Sequence, residues 1–539
     1  MNTNIRAADC DVLVVGAGPT GLTLAAHLLA RGIHTRVIDK DPGTPRLSRA
    51  IGIAPRTLET LDMMGIADRF LDEGHRVGAI SLYTGSRRLL GINMTHSGSA
   101  YPFLLHLPQH RTEALLRARV AELGGSIETG NELRELTAGH DTVGALVRDV
   151  TGHEHTVTAG FVVGCDGAHS RVRHLLGAPF TGQPYPWDWV LADAHLEWAG
   201  SPNEVHVFTR PDGLPMVCVP ITPQLWRVSL PTPGDRGSVP PTLDEVRALV
   251  NERGPGDISV SDPQTLTTFR CQIRSTTVYR HGRALLAGDA VHIHSPAGGQ
   301  GMNTGILDAT NLAWKLALVV SGRAPDALLD SYGTERAPVA AQVLGFTQRI
   351  VRFGTQPPSL KRTVRNAVLP ALRLPAVQRR LAGRMSQTLV RYPDGPLTQP
   401  SRLGGLPRPG TRVPNIDVST ADGQQTLHAV LRRCRHILLV TGEPPAELAP
   451  CLDRIELVNA PLGQPHSWVL VRPDGYVAAV GNDNDTSPFF RYLDHLTPPT
   501  ATAQHADRSG NGDQSCPTTR RPDRDACEVA GTGRPGEDS

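Results

Sequence analysis

The stretch Asp11–Gly21, "DVLVVGAGPTG", constrains the fold of this chain more than any other. Its unbroken apolar run reads as a strand buried on both faces, as in parallel sheets. Gly16, Gly18 and Gly21 follow in G-x-G-x-x-G spacing, and Pro19 to Arg31 reads as a helix stopped by Gly32. The first glycine permits a tight turn, the second lets a pyrophosphate approach the backbone, and the third lets helix and strand pack closely. The helix N-terminus favours the phosphate charge. "TRVID", Thr35–Asp39, is the next strand, which makes a βαβ unit. Asp39 stands where a carboxylate accepts from a ribose 2′-hydroxyl. The motif implies a dinucleotide without separating NAD from FAD.

A second strand–glycine–helix layout lies roughly 270 residues further on, in "LLAGDAVHIHSPAGGQGMNTG", Leu285–Gly305. FAD has two ends that each suit such a junction. Its ADP half fits the first. Its flavin ring carries negative charge at N1/O2 when reduced, and this favours backbone N–H donors and a helix dipole. Asp289 ends a strand where it can bond the ribityl hydroxyls. Pro296, Gly298, Gly299 and Gly301 let the backbone approach the ring edge. Met302 and Asn303 open a helix whose N–H groups point at N1/O2.

At 539 residues the chain exceeds one core, so two to four domains are expected. A net charge of +2 gives no reason to expect nucleic acid or an anionic membrane as partner. The N-terminus "MNTNIRAADC" lacks the apolar core of a signal peptide, and no 18-residue apolar run occurs; "NLAWKLALVV" is short and broken by Lys315. The expectation is a cytoplasmic protein with no membrane partner. The eight cysteines form no C-x-x-C or C-x4-C pair, so neither a metal site nor a redox disulfide is expected.

The fold class expected is α/β: a Rossmann-type FAD-binding domain over 8–180 and 270–390, its 300–390 part helical, with an antiparallel-sheet substrate domain inserted over 75–108 and 181–270. Within the latter, "EVHVF" and "WRVSL" read as short strands between Pro and Gly. "PRPGTRVPN", Pro407–Asn415, reads as a linker to a third domain over 400–497, where "HILLV" and "WVLVRPDGYVAAVG" supply strands. Residues 498–539 are polar, rich in Pro, Gly and Thr, and read as a disordered tail. The Arg-rich stretch from Leu360 to Met385 reads as a solvated helix face or a subunit contact in a homodimer.

"GAGPTG", "CDGAHSRVR" (Cys165–Arg173) and "LLAGDAVHIHSPAGGQGMNTGILDATNLAWKLA" (Leu285–Ala317) together carry a resemblance. The chain resembles the class A flavoprotein monooxygenases of the para-hydroxybenzoate hydroxylase type. Within that family it looks closest to phenol and polyketide hydroxylases such as the pentachlorophenol and rifampicin monooxygenases. The resemblance covers roughly residues 8–390 and, more loosely, 400–497, where it implies a thioredoxin-like domain. It further implies that Arg49 lies along the FAD diphosphate, that Gln109 contacts the ADP–ribityl part, and that Asp166 serves both FAD and the nicotinamide. Asp289 matches the ribityl aspartate, and the Pro296 carbonyl with the amides near Met302 and Asn303 match the flavin-edge contacts. Arg171 either shapes the Asp-Gly region or makes a surface ion pair.

The implied activity is hydroxylation of a phenolic or polyketide-type aromatic substrate by FAD, O2 and transient NADH or NADPH, through a flavin C4a-hydroperoxide. A single G-x-G-x-x-G agrees with a nicotinamide that has no domain of its own. Other readings stay open: Baeyer–Villiger or epoxidising oxygenation, and a non-catalytic flavin-binding scaffold. No catalytic acid or base is assigned; His292 and His294 read as packing or hydrogen-bonding groups beneath the flavin. The substrate pocket is expected along the 180–275 sheet, at segments such as "MVCVP" (Met216–Pro220). Trp187, Trp189 and Trp226 are either ring-stacking or core residues.

Overall fold

A computed structural model of the chain describes residues 8–43, 50–209, 214–234, 237, 239–293, 298–355, 372–401 and 403–497. Arg49, His294, Pro296 and the tail assigned to 498–539 lie outside the described residues. The "DVLVV" strand spans Cys10–Val15 and pairs in parallel with Thr35–Asp39 on one side and Glu154–Gly164 on the other. Ala284–Leu286 extends the parallel sheet beyond Gly164, and Ile127–Thr129 extends it beyond Asp39. Helices cover this sheet, which explains why its strands carry no polar alternation: Val12, Leu13 and Val14 have no exposed surface. The expected first helix spans Pro19–Leu29, with Pro19 in the first turn where its missing N–H costs nothing.

The second sheet has eight strands. In order they are His292–Ile293, Ser259–Ser275, Thr181–Glu197, Leu225–Pro233, Met216–Pro220, Glu204–Thr209, Ala79–Thr84 and Arg87–Asn93. "EVHVF" and "WRVSL" lie in the short strands Glu204–Thr209 and Leu225–Pro233, while two further strands are 17 residues long. Pro184 is accommodated because the pairing with Ser259–Ser275 shifts register between Pro184 and Asp188. Alternation gives the sheet two faces. Val190, Ala192, Phe208, Met216, Cys218, Trp226 and Val228 form a core on one face with Val246 and Val250 of helix Leu243–Arg253. A capping box starts that helix, with Thr242 and Glu245 each satisfying the other's backbone N–H. The opposite face looks onto a cavity.

The C-terminal part is a six-stranded sheet. His436–Val440 and Ile455–Asn459 are parallel, while Ser467–Val471 and Val477–Asn482 form an antiparallel hairpin on the other side of His436–Val440. The linker reading of Pro407–Asn415 is not borne out by the packing. Gly410 exchanges backbone bonds with Tyr392 and Val477 (both 2.8 Å), and Val413 N donates to Gly475 O at 2.9 Å. The glycine serves close approach: a methyl at Gly410 would stand 2.5 Å from the Tyr392 carbonyl oxygen.

This part is fastened to the first sheet's helices by charges with no solvent exposure. Glu335 accepts from Lys315 Nζ (2.8 Å) and from both terminal nitrogens of Arg472 (2.6 and 2.9 Å). Arg472 also bonds Asp474, and Asp474 O accepts from Arg56 at 2.7 Å. Burial alone would raise the Glu335 pKa, but the Arg472 and Lys315 charges outweigh it and hold it at about 2. A carboxylate with a lowered folded pKa contributes stability above its ordinary value of 4.5, and that contribution is lost as pH falls toward 2. Replacing Glu335 with Ala leaves the buried Lys315 without a carboxylate and Arg472 with Asp474 alone, and should cost about 3–5 kcal/mol in urea unfolding at pH 7. The variant should also lack the parent's loss of stability between about pH 4.5 and 2; a cost below about 1 kcal/mol would show that the network is not holding these parts together.

Candidate functional site

The three glycines of the first junction meet three different surroundings. Gly16 has φ +107°, and a methyl there would lie 2.4 Å from the Cys165 carbonyl oxygen. A methyl on Gly21 would lie 1.9 Å from Gly16 O, so this glycine is required by helix–strand packing. A methyl on Gly18 would meet nothing within 4 Å. The protein itself does not need a glycine there, and the open side faces the cavity. Asp39 braces the turn: its Oδ2 accepts from Ala17 N at 2.6 Å and its Oδ1 from Asp41 N at 2.9 Å.

The second junction touches the first. Gly288 has φ +63°; a methyl on it would stand 2.5 Å from Thr20 Oγ1, and one on Gly305 2.3 Å from the same atom. The N-terminal ends of helices Pro19–Leu29 and Gly301–Val320 therefore pack against each other, and both open on one cavity. Asn303 aims its side chain away from any ligand: Oδ1 accepts from Ala54 N (2.8 Å), and Nδ2 donates to Gly52 O (2.9 Å) and Gly299 O (2.8 Å). Its contribution to the cavity is its place in the first helical turn, beside Gly301 and Met302. Beneath the junction lies Asp308, fully buried. It accepts from Gly288 N (3.2 Å), His292 Nε2 (2.7 Å) and Arg336 Nε (2.6 Å). Burial opposes its charge, yet Arg336 and His292 pull its pKa below the usual carboxylate value. His292, at 1% exposure, is thus a hydrogen-bonding strut under the loop.

Asp166, in the Asp-Gly segment, accepts from Ser170 Oγ (2.5 Å), Arg171 N (2.6 Å) and Val172 N (3.1 Å). Burial raises its pKa against these bonds. Arg171 makes no ion pair among the described residues; its guanidinium donates to Arg134 O at 2.7 and 3.2 Å. The residue the sequence reading passed over is Arg173. It is buried, donates to Ala168 O (2.9 Å) and Ala290 O (3.0 Å), and ties the Asp-Gly segment to the second junction. Arg117, which donates to Ala17 O at 3.3 Å, was also passed over. The several donors of an arginine's fork let Arg173 serve two carbonyls at once, and nothing local in the sequence marks it. Gln109 accepts from Ala50 N (3.2 Å) and donates to Glu113 (2.9 Å). Asp289 is exposed on the cavity wall.

Gly16, Gly18, Asp39, Gln109, Asp166, Asp289, Gly301, Met302 and Asn303 all line one cavity of about 1740 Å³. Gly21 lies behind the wall. The volume exceeds the ~300–1,000 Å³ of a single-ligand pocket, so cofactor and substrate can share it. The far wall is the open face of the second sheet, with Ile80, Leu82, Val207, Val217 and Val219 in its apolar part. "MVCVP" divides as alternation requires: Val217 and Val219 face the cavity, Met216 and Cys218 the outer core. Trp187 and Trp189 line the cavity, whereas Trp226 packs edge-on against Trp198 in the core. A cavity of this size with two helix N-termini and a sterically open Gly18 on one wall, and an apolar sheet on the other, fits FAD and defines a flavin-dependent oxidoreductase for an apolar substrate.

The comparisons with known proteins agree. Residues 9–347 match the FAD binding domain family model, and residues 406–497 match that of the aromatic-ring hydroxylase C-terminal domain. The 6-methylpretetramide 4-monooxygenase of Streptomyces rimosus is 36% identical over 93% of this chain and 96% of its own length. The rifampicin monooxygenase of Streptomyces venezuelae is 35% identical over 88% and 96%. The solved structure of OxyS, an anhydrotetracycline hydroxylase from Streptomyces rimosus, superposes with a TM-score of 0.77 at 34% identity, covering 91% of this chain and all of that one. The chain belongs to the FAD-dependent aromatic-ring hydroxylases and is a flavoprotein monooxygenase. No helix among the described residues is long and apolar enough to cross a membrane.

The glycine surroundings give a discriminating expectation. Gly18→Val should fold with the melting temperature of the parent apoprotein but fail to retain FAD through gel filtration. Gly21→Ala should lower the melting temperature of the apoprotein itself. Retention of FAD by the Gly18 variant would show that the pyrophosphate does not pass over this residue.

Proposed function

We propose that the chain hydroxylates a polycyclic aromatic substrate of the polyketide type. The observation that carries this reading is the single continuous cavity, whose apolar sheet wall stands opposite two helix N-termini. Its relatives, which include monooxygenases named for 6-methylpretetramide, anhydrotetracycline and rifampicin, support the substrate class. FAD, reduced by NAD(P)H, supplies the activation of O2.

The chain's own residues bind and orient. Gly16, Gly18 and the Pro19 helix end hold the pyrophosphate, with Asp39 at the adenosine ribose and Gln109 and Arg49 along the chain of the cofactor. Asp289 accepts from the ribityl hydroxyls. Gly301, Met302, Asn303 and Pro296 meet the ring edge, where the dipole of a 20-residue helix favours negative charge. Asp166 keeps the neighbouring segment closed by capping the short helix that follows it. The sheet wall excludes water from the ring-facing part of the cavity, which preserves a reactive oxygen species for the substrate. We read the C-terminal domain as the thioredoxin-like unit that the resemblance implies. We read its role as structural, because its core includes Trp314 and Leu328 of the FAD-side helices.

The test is isotopic. A panel of hydroxylated anthraquinones and naphthols is screened for faster NAD(P)H oxidation, and the product formed under 18O2 is weighed. One labelled oxygen on an otherwise intact aromatic ring is expected. A lactone from ring insertion would move the assignment to Baeyer–Villiger chemistry. An unlabelled or merely dehydrogenated product would overturn the monooxygenase reading of this site.

A further inference from the structure

One buried polar group in the cavity wall has no task in the cofactor-binding scheme. His106 ends the strand Leu104–His106, which runs between Gly52–Ile53 and His75–Val77 and places Gly52, His106 and His75 in one cross-strand row. Its side chain is 3% exposed and lines the cavity. Its Nδ1 lies 2.6 Å from the Pro220 carbonyl oxygen. A carbonyl only accepts, so Nδ1 carries the proton and Nε2 presents a lone pair. No described residue hydrogen-bonds Nε2. Burial keeps the ring neutral, pulling its pKa down to about 4 against the opposing effect of the Pro220 carbonyl. An acceptor that opens on the cavity and that no described residue meets is available to a ligand or water.

The position of this acceptor narrows what meets it. The Cδ2–Nε2 edge faces Gly52, at 3.8–3.9 Å from where a methyl there would lie. The Gly52 carbonyl is in turn held by Asn303 in the first turn of the long helix. On its other side, His106 is tied to the end of the sheet wall, since Pro220 adjoins Val219 and Val219 pairs with Arg227. Arg227 lines the cavity with its charge matched by Asp193 at 2.7 and 2.8 Å. The acceptor therefore stands where the flavin-edge end of the cavity meets the substrate wall.

We propose that His106 is a specificity-determining and positioning contact: its Nε2 accepts the hydrogen bond of a ring hydroxyl, so the site prefers hydroxyarenes over their ethers. This rests on reading the cavity as an aromatic-substrate site. A hydroxyl held there is anchored beside the cofactor, which fixes which ring carbon faces it. A site that hydrogen-bonds a substrate hydroxyl rejects the analogue lacking it, because the protein's polar group is then left unpaired.

The test is a binding ratio on the FAD-loaded enzyme without NAD(P)H, with 1-naphthol and 1-methoxynaphthalene as probes and the flavin absorbance change as readout. The parent should bind the naphthol about tenfold more tightly than the ether. His106→Leu should bring the two affinities within about twofold, and His106→Gln, whose amide oxygen can accept, should restore part of the preference. A parent that binds both probes alike, or neither, overturns the proposal, as does a preference that survives in His106→Leu. Should the Leu variant fail to hold FAD, the parent ratio and the Gln variant still decide. The assay needs no turnover, so failure to oxygenate either probe would count against the proposed reaction and not against His106.

Discussion

The architecture of the site depends on one close approach. Thr20, in the first turn of the Pro19 helix, is wedged against Gly288 and Gly305, and no side chain fits at either glycine without displacing it. Two helix N-termini are thereby brought to one cavity. Each offers unpaired backbone N–H groups and the positive end of a dipole. A ligand with a single anionic group would use one of them. An extended cofactor with a diphosphate at one end and an anionic ring at the other uses both, and this is the physical sense of a chain with two such junctions.

The approach is held from below by a buried charge. Asp308 fixes the Gly288 turn, His292 and Arg336 at once, and Arg336 reaches on to Tyr392 Oη at 3.0 Å. A second buried set, centred on Glu335, fastens the same helices to Arg472 and Asp474. Glu335 and Arg336 are neighbours in sequence, so one helix turn carries both anchors. The C-terminal domain is consequently part of the frame that supports the flavin junction. Its apolar core continues into Trp314, Ala324 and Leu328, which agrees with an interface built as a domain core.

Much of this was legible in the sequence wherever a local pattern carries the physics. The apolar run before Gly16, the glycine spacing, the second junction and the division of "MVCVP" between two faces all follow from neighbours a few residues apart. The misses share a cause. Lys315 looked like a break in an apolar helix. It has no exposure, and its partner Glu335 lies on another helix, while Arg472, which completes the set, is 137 residues beyond Glu335. Arg173 likewise serves two carbonyls that only the fold brings together. Pairings of that kind leave no periodic trace.

The two faces of the second sheet have a consequence for how such an enzyme diversifies. The residues that hold the sheet to helix Leu243–Arg253 point away from the cavity, while Val207, Val217 and Val219 point into it. Strand alternation thus separates foldability from selectivity residue by residue. A change of size at a cavity-facing position reshapes the space above the flavin while the outer packing is left intact. The wall behaves as an interchangeable lining on a permanent frame, so new substrates can be accommodated by single steps without passing through unfolded intermediates in sequence space.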